Sequence, residues 1–147
     1  MNTPAEIMAA LAGIMAGVAN LSEKRVSVND WAVENQPYSL LIFPSLGGQQ
    51  RAAYAESYEQ AHRITLKLTV THKDKRALYD NSAAMIPLVL AALRANDTLG
   101  LSDVLTCHLA GSPVTWDSPT GDTLIADNNG VLSREIDFTV TVWTVGD

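Results

Sequence analysis

Cysteine, basic charge and aromatic mass are all scarce in this chain of 147 residues. A single cysteine, Cys107, excludes an intrachain disulfide and any zinc site built from several cysteines, and fits a reducing compartment. Ten Lys and Arg against sixteen Asp and Glu give a formal charge of −6 and a pI near 4.9. Grip on the nucleic-acid backbone comes largely from Lys and Arg displacing counterions, so sequence-specific nucleic-acid binding is not expected. Attachment to an anionic membrane surface is not expected either, for the same electrostatic reason. The apolar run from Ile7 to Val18 is short of the roughly 20 residues a span requires. Glu6 stands where a signal peptide would carry a basic residue, so no targeting signal is expected.

What the chain does have is apolar residues, at 47%, in a length that fits one domain over residues 1–147. A domain of this size buries roughly 68–70% of its unfolded surface, enough to fold without disulfides or a structural metal. Thr3-Pro4-Ala5-Glu6 reads as a helix start, with a threonine cap, a proline in the first turn and a glutamate to complete a capping box. Ile7, Leu11, Ile14, Met15, Val18 and Leu21 then form one apolar stripe, with Gly13 and Gly17 allowing close packing beside it.

Residues from Lys24 to Glu34 read as a short strand, and Tyr38 to Phe43 as a more apolar one closed by Pro44. The small, polar, Gly-bearing stretch from Ser45 to about Tyr58 reads as a long loop, a type that is usually functional or disordered. From Gln60 the pattern alternates cleanly: Ile64, Leu66, Leu68 and Val70 are apolar, while Arg63, Thr65, Lys67, Thr69 and Thr71 are polar. Asp74 to Asn96 returns to helical spacing, with Pro87 expected to kink or divide the helix.

Val104–Leu109, Val114–Trp116 and Thr123–Ala126 read as short strands, and Asp127-Asn128-Asn129-Gly130 as a turn. The last strand turns Leu132, Ile136, Phe138, Val140 and Val142 inward, with Arg134 breaking that set. The expected fold is α+β: a mostly antiparallel sheet with two helices packed on one face.

No constellation of residues recommends catalysis. His62 and His72, ten residues apart on one strand, would lie roughly 33 Å apart. Cys107 and His108 are adjacent, and neighbours on a strand point to opposite faces. Asp117, Asp122 and Asp127 fit turn chemistry or, alternatively, a hard cation such as Ca²⁺. Gly47-Gly48 is followed by Gln-Gln-Arg rather than the Gly-Lys-Ser/Thr of a phosphate loop. The expectation is no catalytic residue, no metal and no cofactor.

The surface points instead to protein partners. Arg51, Tyr54 and Tyr58 stand on the small, polar 45–58 stretch, and Tyr and Arg are over-represented at binding hot spots. Arg63 and Lys67 on one long strand oppose Glu135 and Asp137 on the other, either pairing within the chain or meeting another subunit. Trp143 falls on the polar face, where a large apolar group is unusual.

The order of parts resembles the tail terminator, or tail completion, proteins of long-tailed bacteriophages. It is carried by the leading helix Thr3–Leu21 and by Pro37-Tyr38-Ser39-Leu40 through Phe43-Pro44. The long strand Gln60–His72, the helix Asp74–Asn96 with its turn Asp97-Thr98-Leu99-Gly100, and the closing strand Leu132–Val145 complete the series. The resemblance covers nearly all of the chain and implies a structural virion protein of the head–tail junction, assembled in the host cytoplasm as a hexameric ring. Such a ring ends tube polymerisation, contacts the tail tube protein and presents a surface to the head connector or stopper. DNA would pass through it, and an acidic wall would repel phosphates rather than hold them. A head–tail stopper, or a small ligand-binding module or enzyme with an unrecognised site, are the alternative readings.

Overall fold

The computed structural model describes residues 3–29, 37–54, 57–96, 98–101, 114–116, 120–127 and 129–145. The side chains of 46–54, 57–60, 114–116, 120–122 and 145 are outside that description. Among the described residues the chain runs α1 (Pro4–Ala16), β1 (Val26–Val28), β2 (Tyr38–Tyr54), β3 (Ser57–His72), α2 (Lys75–Ala95), β4 (Val114–Trp116), β5 (Thr120–Ala126) and β6 (Leu132–Val145). The strand expected at Val104–Leu109 lies outside the described residues, as do Cys107 and His108.

Helix α1 starts as its residues dictate. The Thr3 hydroxyl accepts from the Glu6 backbone N–H at 3.2 Å, and Glu6 Oε1 accepts from the Thr3 N–H at 3.4 Å. The helix stops at Ala16, earlier than the apolar stripe suggests, because Gly17 takes the C-cap. Val18 and Leu21 continue into the core from the turn that follows. Gly13, expected to permit a close approach, is approached by none of the described residues: none comes within 4 Å of the position a Cβ would take.

Helix α2 is capped by Asp74, whose Oδ1 accepts from the Arg76 N–H at 3.2 Å. It runs undivided through Pro87. The proline sits on the solvent side, where the carbonyl it leaves without a helical donor can meet water.

The sheet order is β1-β2-β3-β6-β4, with β5 also paired to β6. The pairs β2–β3, β3–β6, β4–β6 and β5–β6 are antiparallel, and β1 is parallel to β2. The sheet is therefore mixed. Alternation of side chains reveals which face a residue takes but not which way a strand runs, so the parallel pair was invisible to it.

Three rows cross the middle of the sheet in register: Leu40–Leu68–Ile136, Ile42–Leu66–Phe138 and Pro44–Ile64–Val140. All but the exposed Pro44 are buried against Ile7, Leu11 and Met15 of α1 and Leu78, Met85, Val89 and Leu93 of α2. Both helices thus lie on one face, and the core sits between them and the sheet.

The long loop expected at 45–58 is a hairpin. Strand β2 continues to Tyr54, β3 begins at Ser57, and their backbones pair from Gln49↔His62 out to Tyr54↔Ser57. Only the step between Pro44 and Gln49 departs from regular register: five residues advance on β2 while two advance on β3, from Ile64 to His62. Gly47 and Gly48 fall inside that irregularity, as bulges often require. Backbone pairing holds these strands whatever their side chains, and the small, polar sequence carries no apolar alternation, which is why it reads as a loop.

Candidate functional site

The two faces of the sheet differ in kind. On the side away from the helices, positions directly across from one another form polar rows: Ser39–Thr69–Glu135, Leu41–Lys67–Asp137 and Phe43–Thr65–Thr139. This face is drier than alternation alone suggests, because Leu41, Thr65 and Ala61 are buried and most of the rest is half-buried.

Three of the charged residues singled out from the sequence meet on it. Lys67 stands directly opposite Asp137 in register, yet its Nζ lies 3.3 Å from Glu135 Oε2. That diagonal contact is within the reach of long side chains on neighbouring strands. The pairing is within the chain, and at partial exposure such a pair contributes little, about 0–1 kcal/mol. Asp137 bears the cost of the arrangement. Among the described residues its buried Oδ1 has no hydrogen-bond partner. Burial pushes its carboxyl above the ordinary 3.8, Lys67 pulls the other way, and Glu135 pushes it up again.

Asp137→Asn is therefore expected to stabilise the fold at neutral pH. A carboxyl raised in the folded state destabilises folding above its folded pKa, and that penalty disappears as pH falls toward the ordinary value. Urea midpoints at neutral pH and near pH 3.8 should show a gain in the first that vanishes in the second. A loss at neutral pH would mean that the charge is needed.

Arg63 stands opposite Thr141, four positions and roughly 13 Å from Lys67 along β3, and so lies apart from the trio. Trp143 is half-buried opposite Ala61, one row pair nearer the hairpin. Arg51, Tyr54 and Tyr58 lie on the hairpin, at the positions opposite Gln60, Ser57 and Ala53; their side chains are outside the described residues. Asp117 is outside them altogether. The Asp127 carboxylate accepts from the Asn129 and Val131 backbone N–H groups at 2.8 and 2.9 Å, which is turn chemistry. Gly130 completes that turn at φ +77°, a conformation that favours glycine.

On the helix face, two polar groups resolve what the sequence left odd. Arg134, the interruption in the inward set of β6, reaches under α2: its Nη1 donates to Ser82 Oγ at 2.6 Å, and its guanidinium lies 4.7 Å from the Tyr79 ring centroid. Tyr79 and Ser82, three apart on a helix, were the signal available for that partner. His62 is buried, with Nε2 3.0 Å from the Thr144 hydroxyl. Burial pushes its imidazole below 6.5, toward the neutral form. It lines a cavity of about 320 Å³ together with Pro4, Met8, Pro44, Ser45, Arg63 and Ile64.

Sequence reasoning missed the margin of the sheet. Strand β5 exposes two large apolar residues, Leu124 at 41% and Ile125 at 46%. The run Thr123-Leu-Ile-Ala126 reads as a strand, and nothing in it says what covers Leu124 and Ile125.

No protein-family model matches the chain, and no curated protein sequence matches it. Among solved structures, it is similar to a chain described as "Virion of native gene transfer agent (GTA) particle", at 12% identity and a TM-score of 0.44. The likeness covers 92% of this chain and 84% of that one. A likeness of that degree carries no argument about function.

Proposed function

We propose that this chain is a structural virion protein that forms a ring at the head-proximal end of a phage tail tube. The ring ends tube polymerisation and joins the tail to the head connector. The observation that carries this reading is the long β2–β3 hairpin, with strands of 17 and 16 residues where strands of 5–6 are usual. The core cluster uses Leu40 and Ile42 of β2 and Ile64, Leu66, Leu68 and Val70 of β3. Beyond these positions the two backbones stay paired out to Tyr54 and Ser57. A ring needs two different surfaces that meet head to tail. The hairpin and the polar sheet face supply one kind of surface, and the sheet margins another. The order of elements resembling the tail terminator family supports the same reading.

Electron microscopy of particles from a phage carrying a nonsense mutation in this gene tests it. Overlong or unattached tails beside full heads are the expected result. Tails of normal length that fail to join heads would make the protein a stopper instead. Intact infectious particles would overturn a role in the virion.

A further inference from the structure

We infer that Asn129-Gly130, in the turn between β5 and β6, is a site of spontaneous deamidation, where the chain converts Asn129 into aspartate and isoaspartate. The reaction needs an asparagine side chain free to turn, an unshielded backbone nitrogen after it, and water. Asn129-Gly130 is the one Asn-Gly step in the sequence; elsewhere asparagine precedes Thr, Leu, Asp, Gln, Ser or Asn. Glycine lacks the Cβ that would crowd its nitrogen, and asparagine is among the thermally labile residues.

The turn leaves this step open. Asn129 and Gly130 are both exposed, and among the described residues the Asn129 side-chain amide has no hydrogen-bond partner. The backbone is held on either side of the glycine instead. The Asp127 carboxylate accepts from the Asn129 N–H at 2.8 Å and from the Val131 N–H at 2.9 Å. Between them, the Gly130 nitrogen lies 3.4 Å from the Asp127 carbonyl oxygen, longer than the roughly 2.9–3.0 Å of a typical N–H···O bond. None of the described residues comes within 4 Å of the position a Cβ would take at Gly130, so water reaches the peptide. Asn81 provides the contrast. It lies inside α2, where the helical hydrogen-bond ladder occupies the nitrogen that follows it.

The chemistry balances with water alone. Hydroxide removes the Gly130 N–H proton, and the nitrogen attacks Asn129 Cγ. The Cγ–Nδ2 bond breaks, ammonia leaves, and a cyclic succinimide closes. Water then opens the ring. Cleavage of the new Cγ–N bond gives aspartate, and cleavage of the main-chain carbonyl–nitrogen bond gives isoaspartate. One water is consumed and one ammonia released. Either product adds a negative charge beside Asp127. Isoaspartate also routes the backbone through Cβ and lengthens the turn by one atom. That atom enters the loop closed by the Asp127 N–H bond to the Val131 oxygen at 3.0 Å and by the Ala126↔Leu132 pair. The β5–β6 hairpin is therefore loosened by isoaspartate, independently of any ring.

Peptide mapping by mass spectrometry tests the site, on purified chain kept warm in mildly alkaline buffer and then labelled with an isoaspartyl methyltransferase. Acid should accumulate at residue 129 ahead of every other asparagine, faster as hydroxide rises, with methyl-accepting isoaspartate in the same peptide. Asn129→Gln moves the side-chain carbonyl one carbon further from the Gly130 nitrogen and should abolish the product there. The turn takes only a backbone N–H from this position, so the variant keeps its fold. The isoaspartate fraction should unfold at lower urea than fresh chain. Asn129→Asp, which adds the charge on an ordinary backbone, should lose less. A residue 129 that stays asparagine in the folded chain overturns the inference, whether or not urea then releases the reaction. Acid appearing at the other asparagines at the same pace overturns it too. An isoaspartate fraction as stable as fresh chain would overturn the effect assigned to the hairpin.

Discussion

Phe138→Ala should cost about 3–5 kcal/mol of stability, the range for emptying a fully buried aromatic position. Phe138 is 0% exposed and stands in the central row, between the flanking rows of Leu68–Ile136 and Ile64–Val140, with Leu66 directly across. Residues from α1, α2 and three strands share one cluster with it, so no single element can shift to close the cavity. Against a total stability of about 5–15 kcal/mol for a typical domain, the variant should fold only marginally. Urea denaturation followed by circular dichroism measures the change directly. The chain's other phenylalanine, Phe43, provides the comparison. It lies half-buried on the opposite face of the sheet, and Phe43→Ala should cost clearly less. Equal costs for the two would mean that the core does not lie between sheet and helices as described.

That core was legible because it obeys periodicity. Ile64 through Val70 and Ile136 through Val142 alternate, and their apolar members are the ones found buried. The capping box at Thr3 and Glu6 was legible for a local reason, since it joins residues three apart. Backbone pairing leaves no such trace in the sequence. The segment from Gln49 to Tyr54 is held by backbone bonds to β3, and backbone bonds are indifferent to side-chain type. The direction of β1 escaped for a related reason: Val26 and Val28 show the same alternation whether the strand runs parallel or antiparallel to β2.

The candidate surface was half legible. The opposition of Lys67 to Glu135 and Asp137 follows from the two long strands lying side by side, and the structure joins them. The sequence alone could not choose which carboxylate takes the lysine, because register puts Asp137 directly opposite while the ammonium meets Glu135 diagonally. Nor could it show that the carboxyl left over would be desolvated. The apolar margin at Leu124 was illegible for a plainer reason. Exposure of a leucine depends on what fails to pack against it, and no local pattern records an absence of neighbours.

Pro87→Ala should raise stability, by roughly 1–3 kcal/mol. A proline in a helix interior removes one backbone hydrogen bond and crowds the carbonyl four residues earlier, at a cost of about 3 kcal/mol relative to alanine. Here the cost is partly relieved, because Pro87 and Ala83 both face solvent and water can serve the orphan carbonyl. Alanine restores the donor and the better propensity without touching the core, since Met85 and Val89 keep their fully buried positions on the other side of the helix. At about 2–4 °C per kcal/mol for a chain near this size, calorimetry should register the gain as a rise of several degrees in Tm. A fall in Tm would carry a different meaning. Met85 and Val89 lie one helical turn apart on either side of the proline, and both are 0% exposed. If straightening the helix there pulls either one out of the core, the proline sets the curvature that lets α2 follow the twisted sheet, and its local cost is offset by the packing it permits.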